Sequence, residues 1–456
     1  MLNKKLNIFF SGIGGSGVSA IAVFMADKGH MISGSDRAFD NNPNHPTCIA
    51  LKNKGIAIIP QDGSGITKSL DLVVFSTAVE PDKPEYSKAR LMNIPIMTRP
   101  EFLAQIVAEY KTIAIAGTSG KSTVSGMLAY LMTRLGLEPN FIGGGRVKQF
   151  KNASNPGNSI AGRSDLLVIE ACESDGTIVN YRPEHSVILN LDLDHHAVDK
   201  TAAMFDALLE NTRGKIVINA DDSHLAALSS LRAKDAAKFG ISQPAKYKAT
   251  NVMYDNFSTK FSLSGQVFRL SLPGEYNLSN ALACIALLSE IGMQYKDIAG
   301  VLPDFSGIER RFDVHLDDGT RLVIDDYAHN PHKITALMSA VRPLRGKICY
   351  IFQPHGFGPT RLMKDGYIDA FSRGLRNSDH LILLPIYYAG GTADKDISSN
   401  DLALGIVKNG KSAESVKDRN EVIRGLDKWD NYVVMGARDD TLSAFTRSIA
   451  LLLGLD

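Results

Sequence analysis

Thr112-Ile113-Ala114-Ile115-Ala116-Gly117-Thr118-Ser119-Gly120-Lys121-Ser122-Thr123 is the stretch that decides how this chain folds. Residues 112–116 read as a strand, 117–123 as a glycine turn, and 124–135 as a helix. A phosphate-binding loop needs that context. Glycines let the backbone curl so that successive N–H groups face phosphate oxygens, and the helix N-terminus adds partial positive charge. Lys121 would reach the terminal phosphates of a nucleotide, and the Ser122 hydroxyl would ligate Mg²⁺. Ile115 stands where the longer loop pattern has its first glycine.

Upstream lies a second such turn, Gly12-Ile13-Gly14-Gly15-Ser16-Gly17, after a strand at 6–10 and before an apolar helix near 18–28. Asp36 follows at the distance expected of a dinucleotide site. Taken alone this points to NAD, but the same turn cradles other pyrophosphates, including that of a UDP-sugar. Two phosphate-binding turns imply two phosphorylated ligands. Further strands read at 71–76, 166–170, 186–191 and 215–219, then at 321–324, 347–352, 380–384 and 432–435. Residues 245–272 read as a small antiparallel sheet, and 280–290 as a helix rich in Ala and Leu. The fold class is therefore α/β with parallel sheets. The 456 residues suit about three domains, expected at 1–107, 108–306 and 307–456.

Composition excludes several classes. A hydrophobic share of 44% and a charged share of 22% fit globular domains with real cores. The chain carries 50 basic and 49 acidic residues, so general polyanion binding, and a nucleic-acid partner, are not expected. Cys48, Cys172, Cys284 and Cys349 lie far apart without a C-x-x-C pair, which fits a reducing compartment, the cytoplasm. The basic start and short apolar run read as a first strand rather than a signal peptide. No apolar run approaches about 18 residues, so no membrane insertion is expected.

Strand 166–170 delivers Glu170, followed by Cys172, Glu173, Ser174 and Asp175. Asn190, Asp192, Asp194, His195 and His196 follow another apolar strand. Both clusters fall at the C-terminal ends of strands, where open α/β sheets bind ligands. Carboxylates and a histidine there suit one or two Mg²⁺ ions, which neutralise a triphosphate.

These motifs fall into one order: the turn at 117–123, Glu170 in Glu-Ala-Cys-Glu-Ser-Asp, Asn190 with Asp194-His195, Gly274-Glu275-Tyr276-Asn277-Leu278-Ser279-Asn280, Arg310-Arg311-Phe312-Asp313, and Asp325-Asp326-Tyr327-Ala328-His329-Asn330-Pro331. The set resembles the Mur ligase family. The first glycine turn, Ser33-Gly34-Ser35-Asp36, Ser76-Thr77-Ala78-Val79, Gly144-Gly145 with Val147-Lys148, Phe352-Gln353-Pro354-His355, Tyr388-Ala389-Gly390 and Ser398-Ser399 resemble its alanine-adding branch. The likeness runs almost end to end.

The resemblance implies a Rossmann-like N-terminal UDP-sugar domain, a central P-loop ATPase-type domain and a Rossmann-like C-terminal domain. It implies ATP- and Mg²⁺-dependent amide formation between UDP-N-acetylmuramate and L-alanine, through an acyl phosphate, in peptidoglycan precursor synthesis. The protein would act as a monomer or homodimer. Lys121, His195 and Arg311 would be catalytic, and Ser122, Glu170 and His195 would hold the metal. Gly117, Thr118, Ser119, Gly120, Lys121, Ser122, Thr123, Asn277, Asn280, Arg311 and Asp326 would bind ATP. Gly12, Gly14, Gly15, Ser16, Gly17, Asp36, Ser76 and Thr77 would bind the UDP-sugar. Glu173, Ser174, His329, His355 and Arg361 would lie near the acceptor, with His195 or His329 as general base.

The chain also departs from that branch. It has Ser119 where the branch has His, and Cys172 where it has Asp. Gly356 and Pro359 replace two arginines, and Arg361 remains. Tyr181-Arg182-Pro183 resembles the branch that attaches a tripeptide to the same sugar nucleotide. Phe205-Asp206 shows no counterpart of the modified lysine of other members, in keeping with alanine addition. Three readings compete: a tripeptide-adding ligase, a non-catalytic UDP-sugar-binding homologue, and an NAD-dependent oxidoreductase. The last leaves the 117–123 turn and the third domain unexplained.

Overall fold

Alternating strands and helices assemble into three largely parallel sheets and one small antiparallel sheet in the computed structural model, which describes residues 4–192, 197–228, 235–255, 257–388, 394–439 and 441–454. The chain forms two compact units, Met1–Ile308 and Glu309–Asp456. The architecture is α/β throughout, in three domains, two of them within the first unit.

The N-terminal sheet runs Ala57–Ile58, Met31–Ser35, Asn7–Ser11, Leu72–Phe75, Ile96–Thr98 in space, all parallel. The chain winds outward from Asn7–Ser11 and then returns to its other side. That strand therefore ends at a topological switch point, where the glycine turn lies. The next helix, Ser16–Asp27, buries Val18 through Met25 without a break. It is apolar all round because one face covers its own sheet and the other meets Asn140–Ile142 and Ser159–Ile160 of the next. Asn158 Nδ2 joins the two, donating to Ser16 O at 2.7 Å and Ser19 Oγ at 3.0 Å.

The central sheet has eight strands, in the order Tyr247–Lys248, Ala236–Gly240, Ile216–Asn219, His185–Ile188, Lys111–Ala116, Leu166–Glu170, Asn140–Ile142, Ser159–Ile160. All pairs are parallel except the last. Lys111–Ala116 lies between His185–Ile188 and Leu166–Glu170, so the loops after all three strands converge at one edge. The strand expected over 186–191 stops at Ile188, because the chain turns inward there: Leu189 N donates to Ala116 O (3.0 Å) and Thr118 N to Asn190 O (3.2 Å). The antiparallel sheet expected over 245–272 forms at Thr250–Asp255, Ser258–Leu263 and Gln266–Leu270, while Tyr247–Lys248 joins the parallel sheet instead. The helix expected from 280 begins at Glu275, capped by Gly274 with φ +90°.

The second unit holds a six-stranded sheet, ordered Asp313–Asp317, Leu322–Asp326, Asn431–Gly436, Ile348–Gln353, His380–Leu383, Ala413–Ser415. Only the first of these runs antiparallel. Asn431–Gly436 and Ile348–Gln353 are buried along their whole length, as strands covered on both faces must be.

Candidate functional site

The loop after Lys111–Ala116 is held from three sides. Gly120 has φ +87°, and a Cβ there would lie 2.7 Å from Asn280 Oδ1, so conformation and space both require glycine. Asn190, on the neighbouring strand's loop, accepts from Thr118 Oγ1 (2.8 Å) and Ser119 N (2.7 Å) and donates to Ser119 O (3.1 Å). Lys121 donates to Gly117 O and, at 2.9 Å, to Glu173 Oε2. The Lys121 and Glu173 side chains are 13% and 1% exposed. Burial pulls the ammonium's pKa down, but the Glu173 carboxylate, with Cys172 and Glu170 behind it, outweighs burial and the net shift is upward. Lys121 is thus charged before any ligand arrives. Glu173, expected near the acceptor, lies against the loop lysine, and its Oε1 is buried without a partner. Ser174 is exposed and its hydroxyl lies 3.0 Å from Cys172 Sγ. Thr123 is buried in the first turn of Lys121–Arg134.

Ser122 Oγ lies 3.0 Å from Glu170 Oε2. Two oxygens on one edge of an octahedral Mg²⁺ shell sit about 3.0 Å apart, given bonds of about 2.1 Å, so the pair fits that ion. Glu170 is aimed by its other oxygen, which accepts from Gly144 N (2.6 Å) and Gly145 N (3.3 Å). His195, with Asp194 and His196, lies outside the described residues. Among the described residues no three His, Cys, Asp or Glu side chains form a ready-made metal cluster.

In the N-terminal turn, Gly12 N and Ile13 N donate to Ser35 O (2.8 and 3.0 Å), and Gly15 N to Gly12 O (3.3 Å). Asp36 accepts from Gly14 N (2.7 Å) and Ala38 N (2.8 Å), so both its oxygens serve the backbone. The first N–H groups of the helix, those of Ser16 and Gly17, begin a turn that leaves them unpaired in any helix. Ser76 Cβ packs against Gly12, 2.7 Å from where a Cβ would stand, and Thr77 is exposed. Sequence reading missed two residues here. Arg99 lies against Gly17 and pairs with Asp175 at 2.5 Å. Glu85, fully buried, accepts from Ser11 and Ser35, the residues just before Gly12 and Asp36. An Arg after a helix-capping Thr, or a Glu after a Pro, carries no signal of such a role.

In the second unit, Asp326 accepts from Phe312 N and Ala328 N, both at 2.7 Å, and is buried. It clamps a turn in which Arg310 and Phe312 take left-handed φ values of 59° and 48°. The Arg311 guanidinium lies 4.8 Å from the Tyr327 ring centre. The rings of His329 and His355 are 5.5 Å apart. Arg361 pairs with Asp396 and donates to Asp394 O at 3.2 Å. Back in the first unit, Asn277 is buried and donates to Pro273 O at 2.7 Å.

Burial above all, with the positive charge of Lys333, pushes His329 down to about 3 from an ordinary 6.5. At neutral pH the ring is uncharged folded or unfolded. Below an ordinary imidazole pKa the unfolded chain takes up a proton that the folded chain refuses. Stability should therefore fall with acidification, by at most about 1.4 kcal/mol per pH unit from this group, down to its folded pKa. His329→Gln should flatten that dependence in urea midpoints compared at neutral and mildly acidic pH. A variant as acid-sensitive as the parent would overturn the assignment.

A glycine loop with a charged lysine and an oriented carboxylate on the next strand, in a three-domain α/β chain, is the arrangement that phosphate-handling enzymes require. Family models match along the chain: "Mur ligase family, catalytic domain" at residues 7–111, "Mur ligase middle domain" at 115–288 and "Mur ligase, glutamate ligase domain" at 310–438. The UDP-N-acetylmuramate–L-alanine ligase of Nitrosomonas eutropha is 33% identical over 90% of this chain and 89% of its own length. That of a Sulfurihydrogenibium species is 32% identical over 95% of each. The crystal structure of a UDP-N-acetylmuramate–alanine ligase from Thermotoga maritima superposes with a TM-score of 0.82 at 26% identity, covering 99% of both chains. The chain belongs to the Mur ligase family. No helix among the described residues is long and apolar enough to cross a membrane.

Proposed function

We propose that the protein joins L-alanine to the carboxylate of UDP-N-acetylmuramate at the expense of ATP. The reading is carried by the convergence of Lys121, Ser122, Glu170 and Asn190 on one glycine loop, in a chain whose relatives with that named activity align along most of its length. We assign ATP to the 117–123 loop and the sugar nucleotide to the turn at 12–17. Four unpaired cysteines support a reducing, cytoplasmic setting.

A carboxylate does not acylate an amine, because oxide is too poor a leaving group. Transfer of the γ-phosphoryl group to a carboxylate oxygen releases ADP and gives an acyl phosphate. The neutral amine then attacks the carbonyl carbon; the C–N bond forms, the C–O bond breaks, phosphate departs with the bonding pair, and the proton the nitrogen sheds passes to the departing phosphate or to solvent. Lys121 meets the negative charge that moves during transfer. Asn190 fixes the course of the loop by taking up the Ser119 N–H and the Thr118 hydroxyl. Mg²⁺, held by Ser122 and Glu170, would neutralise phosphate charge. His329, with a pKa near 3, suits hydrogen-bond acceptance better than holding the amine proton at neutral pH.

The test is phosphate release from ATP, Mg²⁺ and UDP-N-acetylmuramate with L-alanine, glycine, L-serine or the L-Ala-D-Glu-diamino-acid tripeptide. Release with L-alanine is expected. Release with the tripeptide alone would move the protein to the tripeptide-adding branch, and sugar-nucleotide binding without any release would make it a binding homologue.

A further inference from the structure

Arg438 follows strand Asn431–Gly436 and takes φ +68°, a left-handed conformation that residues with side chains rarely adopt and that concentrates at functional sites. Its N–H lies 3.4 Å from the Tyr327 hydroxyl. Its side chain is exposed and has no carboxylate partner among the described residues. The adjacent Asp439 is taken by Arg419 at 2.6 Å. Around the same Tyr327 ring, Arg310 is matched by Asp325 (3.4 Å) and Arg311 lies in the field of Asp326. Of these three arginines Arg438 is the exposed one.

His329 packs edge-on against Tyr327, with ring centres 5.5 Å apart, and His355 packs against His329. The Nδ1 of His355 is buried without a partner. Burial, and then the charge of Arg438, lower its pKa. All these groups sit at the carboxyl ends of Leu322–Asp326, Asn431–Gly436 and Ile348–Gln353, where sheets of this kind bind ligands. The segment after His355, Gly356-Phe357-Gly358-Pro359-Thr360, carries no charge, and Arg361 beyond it is paired with Asp396. An exposed guanidinium with no ion pair among the described residues, at strand ends that also carry an orphan ring nitrogen, suits an anionic oxygen ligand.

We propose that Arg438 is a specificity-determining residue that binds the carboxylate of the incoming amine substrate, a task the uncharged segment 356–360 cannot perform. This rests on the ligase reading above. The same oxygen chemistry could come from an ATP phosphate, so the test separates the two. Arg438→Gly and Arg438→Lys in the full chain would be assayed by phosphate release. KM would be measured for L-alanine, ATP and UDP-N-acetylmuramate, with L-alaninamide as an acceptor lacking the carboxylate. Arg438→Gly should raise KM for L-alanine by about 10- to 100-fold with little change in kcat, and leave the other two KM values alone. Arg438→Lys should recover part of the loss, and L-alaninamide should be used equally by parent and variant. Glycine accepts φ +68°, so Arg438→Gly should melt no lower than the parent. An unchanged KM for L-alanine, or a rise for ATP instead, would overturn the proposal. A parent chain that releases no phosphate with any amine would remove the ligase reading itself, and this assignment with it.

Discussion

Lys121→Ala is expected to cut the rate of ATP-dependent phosphate release by roughly 10³-fold or more, because the transferred phosphoryl group loses its fixed counter-charge. It should also destabilise the first unit. Glu173 is 1% exposed at its side chain, and its Oε1 already has no partner. Removing the ammonium at 2.9 Å leaves a buried carboxylate uncompensated, a loss of about 3–5 kcal/mol for a buried pair broken from one side. The double variant Lys121→Ala/Glu173→Gln removes both charges and should recover much of the stability without recovering activity. Urea unfolding and phosphate release together separate the effects. If the single variant keeps activity within tenfold of the parent, Lys121 has no phosphate role.

Asp326→Ala should lower the stability of the second unit by about 3–5 kcal/mol. The carboxylate is buried and accepts two N–H groups at 2.7 Å, and one of these belongs to Phe312 in a left-handed turn. Without it both N–H groups are orphaned and nothing holds the turn against its strain. Trp429 is the sole tryptophan of the chain and stacks on His380 within this unit, so its fluorescence reports the transition directly. At an m-value of about 1–3 kcal/mol/M the urea midpoint should fall by about 1 M or more. An unchanged midpoint with a raised KM for ATP would mean that the carboxylate serves the nucleotide and not the turn.

The strands that later proved central were legible because each is long, apolar and bounded by glycine or polar residues. Lys111–Ala116 and Asn431–Gly436 are of this kind. Asn140–Ile142, Ser159–Ile160 and Ala413–Ser415 were missed, since strands of two or three residues owe their form to the neighbour they pair with. The glycine loops were legible for a related reason: backbone freedom and a helix start are properties of adjacent residues.

Local order along the chain therefore determined the fold class, the two glycine turns and the lysine that stands in one of them. Tertiary structure alone decided what those groups touch. Glu173 reaches Lys121 across 52 positions, and Asn190 reaches Ser119 across 71, because Leu166–Glu170 and His185–Ile188 flank Lys111–Ala116. Sheet order depends on the pairing of whole strands, which no local pattern encodes. Arg438 is the sharpest case: an arginine in sequence announces neither a left-handed backbone nor the lack of an ion-pair partner among the described residues. Both follow from where three strands of the second unit end together.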